Sequence, residues 1–175
     1  VMLIAMSPLL LVIGIIGKLS TPGSAFYSQI RVGAGGKHFW IHKFRTMVDG
    51  AEDKTGPVLS WKGDPRVTRW GSFLRKTHLD EVPQLLNVVQ GEMSFVGPRP
   101  ERPEFVMEFS QTVENYTRRL EVRPGITGLA QICCPYDVNV EEKLEYDLLF
   151  IRHRDSLRVL CFILYRTALK VLLIH

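Results

Sequence analysis

The sequence predicts a small α/β domain that works at a membrane, with one short antiparallel sheet and several helices. Three observations carry this reading. The apolar residues gather at the two ends, in VMLIAMSPLLLVIGIIG and LRVLCFILYRTALKVLLI, and leave a more ordinary polar middle. Two strand-like runs, FYSQIRVG and KHFWIHKFRTM, flank Gly33-Ala34-Gly35-Gly36 and read as a hairpin. Several later stretches space their apolar residues at the helical period. The length of 175 residues suits one domain. A mean hydropathy of +0.05 is high beside 23% charged residues, so the apolar content must be unevenly spread.

At the start, residues 1–17 carry no charge and Lys18 follows. A straight helix of that length spans roughly 25 Å, short of a hydrocarbon core of about 30 Å. Ser7-Pro8 also interrupts its hydrogen-bond ladder. A signal peptide, a spanning helix that lost its start, and a bent helix that enters and leaves on one face all remain open. The first is weakened by the lack of a basic n-region and of an Ala-x-Ala-like cleavage site. The absence of a starting methionine leads us to expect further residues upstream.

Thr21-Pro22-Gly23-Ser24 reads as a turn into the hairpin, whose glycines lack any dinucleotide-binding fingerprint. The second strand places Lys43 and Arg45 two residues apart on one face, where they would clamp a diphosphate or simply line a solvated edge. Residues 48–63 read as a surface loop. Asp64-Pro65-Arg66-Val67-Thr68 then turns into WGSFLRKTHLDE, expected to be a helix that delivers Arg75 toward Asp80.

The stretch THLDEVPQLLNVVQGEMSFVGPRPE is the chemical centre of the reading. Pro83 is tolerated only near a helix start, which puts Asp80 and Glu81 at a helix N-terminus, with Arg75 and Lys76 just upstream. Carboxylates there either cap the helix or, beside fixed cations, handle a phosphoryl group. Gly91 is the expected C-cap.

Further on, Phe105, Phe109, Val113 and Tyr116 recur at helical spacing and read as core. RPGITGLAQI reads as a turn into an apolar segment that suits a short strand, with Arg123 and Gln131 as substrate contacts or plain surface residues. VEEKLEYDLLFIRHRDS is helical, with Glu141 and Glu145 on one face. The last helix carries Arg158, Arg166 and Lys170 toward one side and apolar residues elsewhere, as an interfacial amphipathic helix or a core helix would. Cys133, Cys134 and Cys161 fit no zinc spacing or disulfide framework. A formal charge of +4 and a pI near 9.1 suit anionic lipids or phosphorylated substrates, and nucleic acid is not expected as a partner.

Taken together, Ser7-Pro8, QIRVG, KFRTM, LDEVPQLLNVVQGEMSFVGPRPE, RPGITGLAQ and KLEYDLLFI resemble, in order and spacing, the bacterial sugar transferases, or monotopic phosphoglycosyl transferases. The resemblance runs along nearly the whole chain. It implies a re-entrant membrane helix over residues 1–19, bent at Ser7 and Pro8, and a catalytic domain over 20–175 that faces the cytoplasm from the bacterial inner membrane and ends in an interfacial helix. It further implies transfer of a sugar 1-phosphate from a nucleoside diphosphate sugar, usually a UDP-sugar, to a polyprenyl phosphate such as undecaprenyl phosphate, with release of UMP.

By the same resemblance Asp80 is the nucleophile that forms a covalent phosphosugar, and Glu81 assists with proton or metal positioning. Mg²⁺ is the implied cofactor, with Asp80 and Glu81 its protein ligands. Lys43, Arg75 and Arg99 match phosphate- or nucleotide-side positions, and Arg31, Arg45 and Gln131 are grouped with them as substrate-binding. Some features depart from the pattern. Val32 stands where many members have proline, CCPYD replaces an Asn-Gly-Arg-like run, and no basic segment precedes the apolar helix, so either trimming or upstream membrane helices are expected. The competing readings are a membrane phosphohydrolase with aspartyl-phosphate chemistry and a non-catalytic lipid-binding module.

Overall fold

The computed structural model describes residues 2–53, 55–61, 63–135 and 138–173. Val1 of the apolar segment, Tyr136 and Asp137 of the CCPYD departure, Ile174 of the C-terminal run and His175 lie outside the described residues. The chain divides into two compact units, Val1–Ser28 with His42–Leu86, and Gln29–Ile41 with Asn87–His175.

The first unit begins with helix α1 (Met2–Ser20), which runs on through Pro8. Among the described residues, no helix is long and apolar enough to cross a membrane. Ile13 of α1 is buried against Phe44 and Leu74, with Leu10, Trp70 and Leu79 around them. By contrast Leu9, Leu11, Val12, Ile15 and Leu19 stay exposed. A glycine-turned hairpin follows, strands β1 (Phe26–Val32) and β2 (His38–Phe44) joined by a short 3₁₀ turn over Ala34–Gly36, as the sequence predicts. The base of the hairpin, with Phe26 stacked on Phe44 at 5.0 Å, belongs to this unit and its tip to the other.

Helix α2 (Arg69–Thr77) starts where Thr68 caps it, its Oγ1 accepting from the Gly71 N–H at 2.8 Å. Gly71 has a steric reason to be glycine, because a Cβ there would lie 1.9 Å from the Thr46 carbonyl oxygen. The expected single helix through WGSFLRKTHLDE is corrected here. His78 adopts a left-handed φ of 56° and ends α2, its N–H bonding back to the Arg75 carbonyl. The chain restarts as a 3₁₀ helix over Leu79–Gln84 and only then becomes helix α3 (Leu85–Val89). Pro83 explains the order: without an N–H it cannot extend an α-helical ladder from Asp80 onward.

In the second unit, strands β3 (Ser94–Val96) and β4 (Gly125–Thr127) pair in parallel, with Ser94 opposite Gly125 and Val96 opposite Thr127. The sequence predicts the antiparallel hairpin and allows a short strand in RPGITGLAQI, where β4 falls; β3 and the parallel pairing are not expected, since three-residue strands leave no readable alternation. Gly125 permits the pairing, because a Cβ there would lie 2.1 Å from the Gly97 nitrogen. Helix α4 (Pro103–Thr112) stops earlier than the aromatic spacing suggests, and Asn115, at φ 60°, leads into a 3₁₀ turn over Tyr116–Glu121. The stripe is core as expected: Phe109 packs edge-on against Tyr116 at 5.4 Å, beside Val113 and Leu144.

Helices α5 (Leu129–Cys133), α6 (Val140–Arg152) and α7 (Leu157–Leu172) complete the unit. Asn139 caps α6 by accepting from the Glu142 N–H at 2.8 Å. The last helix is part of the core on one side and exposed on the other. Ile163 is fully buried, with Val159 and Leu160 packed in the same cluster, while Leu157, Phe162, Leu164, Tyr165 and Leu172 face outward. Lys170 does not stand apart on a basic face but donates to the Gln131 carbonyl at 3.0 Å.

Candidate active site

Asp80 and Glu81 occupy the first turn of the 3₁₀ helix in the first unit, and Asp80 is only 7% exposed. Burying a carboxylate is costly unless cations or donors compensate it. The neighbouring Glu81 is paired with Lys43, near the end of β2: the Lys43 Nζ donates to Glu81 Oε1 at 2.7 Å, and both side chains are largely buried. The expected helix-dipole contribution is smaller than the sequence reading assumed. The run is six 3₁₀ residues followed by five α-helical ones, and the Glu81 N–H already bonds the His78 carbonyl at 3.2 Å.

Arg75, in the last turn of α2, is held differently. Its Nε donates to Thr46 Oγ1 at 2.9 Å and its Nη1 to Ser60 Oγ at 2.8 Å. Both partners are neutral hydroxyls, so the positive charge has orientation without neutralisation. That is the state of a cation equipped to meet a phosphate.

Arg45 has another employment. It lies one residue beyond β2, and its guanidinium donates to Thr21 Oγ1 and to the Thr21 carbonyl, each at 2.9 Å, and to the Pro22 carbonyl. These bonds tie down the turn after α1, so the paired Lys43–Arg45 clamp envisaged from the alternation is not formed by the strand.

The other sequence-predicted residues belong to the second unit. Arg99 is exposed between buried Pro98 and Pro100. Its loop is fixed by the backbone: the Gly125 N–H donates to the Pro98 carbonyl at 2.9 Å, and Arg31 Nη1 donates to the Pro100 carbonyl at 3.3 Å. Arg31 also donates to Gln29 Oε1 at 2.7 Å and lies 3.8 Å from Glu101. Gln131 uses its Nε2 to hold the Ile126 carbonyl at 2.9 Å, while its Oε1 is buried without a partner. The first unit thus gathers Asp80, Glu81, Lys43 and Arg75, and the second carries Arg31, Arg99 and Gln131.

Two groups of residues escape the sequence reading. Thr46 and Ser60 give no signal beyond being hydroxyls near a turn. The buried pair Arg119 and Asp147 is more legible in retrospect. Asp147 shares the core face of α6 with Leu144 and Ile151, and a carboxylate on such a face demands a partner. Arg119 donates to Asp147 Oδ2 from Nε at 3.1 Å and from Nη2 at 2.8 Å, and also to the Tyr116 hydroxyl and the Arg99 carbonyl. Burial opposes the Arg119 charge, but Asp147, Tyr116 and Glu101 together outweigh it and hold the guanidinium protonated. Burial pushes the Tyr116 hydroxyl up to about 12, against the pull of Arg119.

Two adjacent carboxylates offer the oxygen donors that suit a hard cation such as Mg²⁺, which takes one or two carboxylates and fills its shell with phosphate oxygens and water. Among the described residues, no group of three or more His, Cys, Asp or Glu is placed to hold a metal.

The chain is 40% identical over 169 residues to the UDP-N-acetylgalactosamine-undecaprenyl-phosphate N-acetylgalactosaminephosphotransferase of Aeromonas hydrophila, covering 95% of the chain and 40% of that protein. It is 40% identical over 175 residues to the UDP-glucose:undecaprenyl-phosphate glucose-1-phosphate transferase of Xanthomonas campestris pv. campestris, covering 97% of the chain and 36% of that protein. A putative undecaprenyl-phosphate N-acetylgalactosaminyl 1-phosphate transferase of Bacillus subtilis (strain 168) is 51% identical over 113 residues, covering 65% of the chain and 63% of that protein. The chain thus spans between 36% and 63% of the length of these relatives. The family profile described as "Bacterial sugar transferase" matches residues 1–173, and the chain belongs to that family.

Proposed function

We propose that the protein transfers a sugar 1-phosphate from a nucleoside diphosphate sugar, in all the relatives above a UDP-sugar where a donor is named, to undecaprenyl phosphate. The observation that carries the reading is the buried Asp80, set beside the Lys43–Glu81 pair and on the same unit as an arginine oriented by hydroxyls alone.

The reaction has two displacements. An Asp80 carboxylate oxygen attacks the phosphorus that bears the sugar, and the bond from that phosphorus to the UMP oxygen breaks, so UMP leaves with the bonding pair. A phosphate oxygen of the lipid then attacks the same phosphorus and expels the Asp80 carboxylate, which is regenerated. Splitting the transfer this way lets one site serve a soluble donor and a membrane acceptor in turn.

Lys43 and Arg75 offset the negative charge of the diphosphate, without which a carboxylate would be repelled. Glu81, held by Lys43, keeps the ammonium against the nucleophile's helix turn. Asp80 and Glu81 would also hold Mg²⁺, which when bound lowers the charge on the phosphates and orients them. On the second unit, Arg31 and Arg99 are the candidate phosphate contacts. Gln131 is retained there as a tie to the Ile126 backbone, and Arg45 serves the turn after α1.

The family's setting supplies the rest of the proposal: a bacterial inner-membrane protein with its catalytic domain toward the cytoplasm. Residues 1–19 enter and leave one leaflet, Pro8 marking the bend and the Ser7 hydroxyl satisfying a freed carbonyl. Labelling of Val1 from the periplasmic side would overturn that re-entrant course. The exposed apolar residues of α7 would rest in the interface.

The test is UMP release by the full-length protein in detergent with Mg²⁺ and undecaprenyl phosphate across a panel of UDP-sugars. Release with one donor, matched by lipid-linked product and reduced at least about a thousandfold in Asp80→Asn, is the expected result. Free sugar phosphate in place of lipid-linked product would make the protein a phosphohydrolase. Silence from every donor would leave a lipid-binding module.

A further inference from the structure

Arg75 does not orient itself. Its Nη1 meets Ser60 Oγ at 2.8 Å, and Ser60 sits in the loop before α2 with its own hydroxyl hydrogen directed to Asp64 Oδ2 at 3.2 Å. Asp64 is buried and immobilised in turn. Arg66 donates to its Oδ1 from Nε at 2.9 Å and from the backbone N–H at 3.0 Å, and to its Oδ2 from Nη2 at 2.6 Å. The Arg66 guanidinium is itself laid over the Trp61 ring at 4.9 Å.

A serine hydroxyl can be donor or acceptor, and which it is decides whether it attracts or repels a guanidinium. Asp64 resolves the choice. The Arg66 side chain, working against burial, holds the Asp64 carboxyl at about 2, so it is an acceptor at any working pH. Ser60 must give its hydrogen to Asp64 and turn a lone pair to Arg75. On the opposite edge Thr46 Oγ1 accepts from Nε, and among the described residues Arg75 meets no carboxylate.

We infer that Ser60, polarised by the Asp64–Arg66 clamp, is a positioning residue that sets the Arg75 guanidinium for the diphosphate of the donor. The inference rests on the proposed transferase reading. Ser60 acts without touching substrate: it fixes the fork of Arg75 in one rotamer and leaves its charge uncancelled for the phosphates. A carboxylate in place of Ser60 would orient Arg75 equally well but spend that charge.

The experiment is a double-mutant cycle on the full-length protein in detergent with Mg²⁺ and undecaprenyl phosphate, using whichever of UDP-glucose or UDP-N-acetylgalactosamine supports UMP release. The variants are Ser60→Ala, Ser60→Thr, Arg75→Lys and the Ser60→Ala/Arg75→Lys pair. Ser60→Ala is expected to lower kcat/KM about three- to tenfold, the worth of one hydrogen bond. Ser60→Thr, which keeps the hydroxyl, should recover to within about twofold of wild type. In the Arg75→Lys background, where the fork is gone, Ser60→Ala should add nothing.

Asp64→Asn should reproduce the Ser60→Ala loss, since an amide no longer compels the hydroxyl's direction. Should Arg75→Lys turn over too slowly to read, the same cycle is measured as UDP affinity by calorimetry, with the same non-additivity expected. Ser60→Ala equal to wild type, or an undiminished loss on the Arg75→Lys background, overturns the inference while the transferase reading stands. A wild type that releases UMP from no donor brings down both.

Discussion

Arg75 and Arg119 are the same side chain put to opposite uses. Arg119 is buried and fully answered: a carboxylate, a phenol and a carbonyl take its donors, and the result is a fixed junction beneath the Arg99 loop. Arg75 is half-buried and answered by two hydroxyls, which restrain its direction and leave its charge. A guanidinium whose charge is cancelled inside the protein builds architecture, whereas one that is aimed but not cancelled is available to a ligand.

The contrast is most severely tested by removing the carboxylate from the buried pair. Asp147→Ala strands a buried charge and should cost about 3–5 kcal/mol in denaturant unfolding. The double replacement Arg119→Met/Asp147→Leu should return most of that loss, because an apolar pair needs no compensation. Failure of the double variant to recover would mean that the bond from Arg119 to the Arg99 carbonyl, rather than charge balance, is what matters.

Arg75→Ala should behave in the reverse sense. We expect UMP release to fall about tenfold to a hundredfold in kcat/KM, with unfolding changed by no more than about 0.5 kcal/mol. A large stability loss would move Arg75 into the same class as Arg119.

A smaller effect separates the two by pH. The Tyr116 hydroxyl, bonded to Arg119, is raised from 10.0 to about 12. The folded state thus holds this proton more tightly than the unfolded one. Its contribution is complete below about 10 and is lost as pH rises toward about 12. Thermal melting over that window should fall more steeply in wild type than in Tyr116→Phe.

The smallest expected change lies on the Arg75 side. Asp64 is depressed from 3.8 to about 2, so its contribution is complete above 3.8 and is lost as pH falls through about 2. The melting difference between wild type and Asp64→Asn should shrink over that acid window. A difference that persisted to the lowest pH would mean that shape, not charge, holds the clamp.

What the sequence discloses follows the range of the forces involved. The glycine-turned hairpin, the capped α6 and the aromatic core of α4 are local patterns and can be read directly. The Asp80–Glu81 pair and Lys43 are legible as chemistry, although their contact is not. The break at His78 was hidden because a left-handed residue is dictated by the turn on either side of it rather than by its own propensity. The parallel β3–β4 pairing joins segments about thirty residues apart, and no alternation in three residues announces it. The partners of Arg45 are hidden for a similar reason: nothing near it in sequence says that Thr21 and Pro22 will take its donors.

The division of the hairpin between the units has a consequence for how the chain is made and inherited. The polypeptide passes from the first unit to the second after Ser28, returns at His42 and leaves again after Leu86. Neither unit is a continuous stretch of gene. During synthesis the ribosome must deliver residue 86 before the first unit has all its parts, by which time the hairpin tip of the second has already emerged. A single recombination breakpoint inside residues 29–86 would leave both units with parts from two parents.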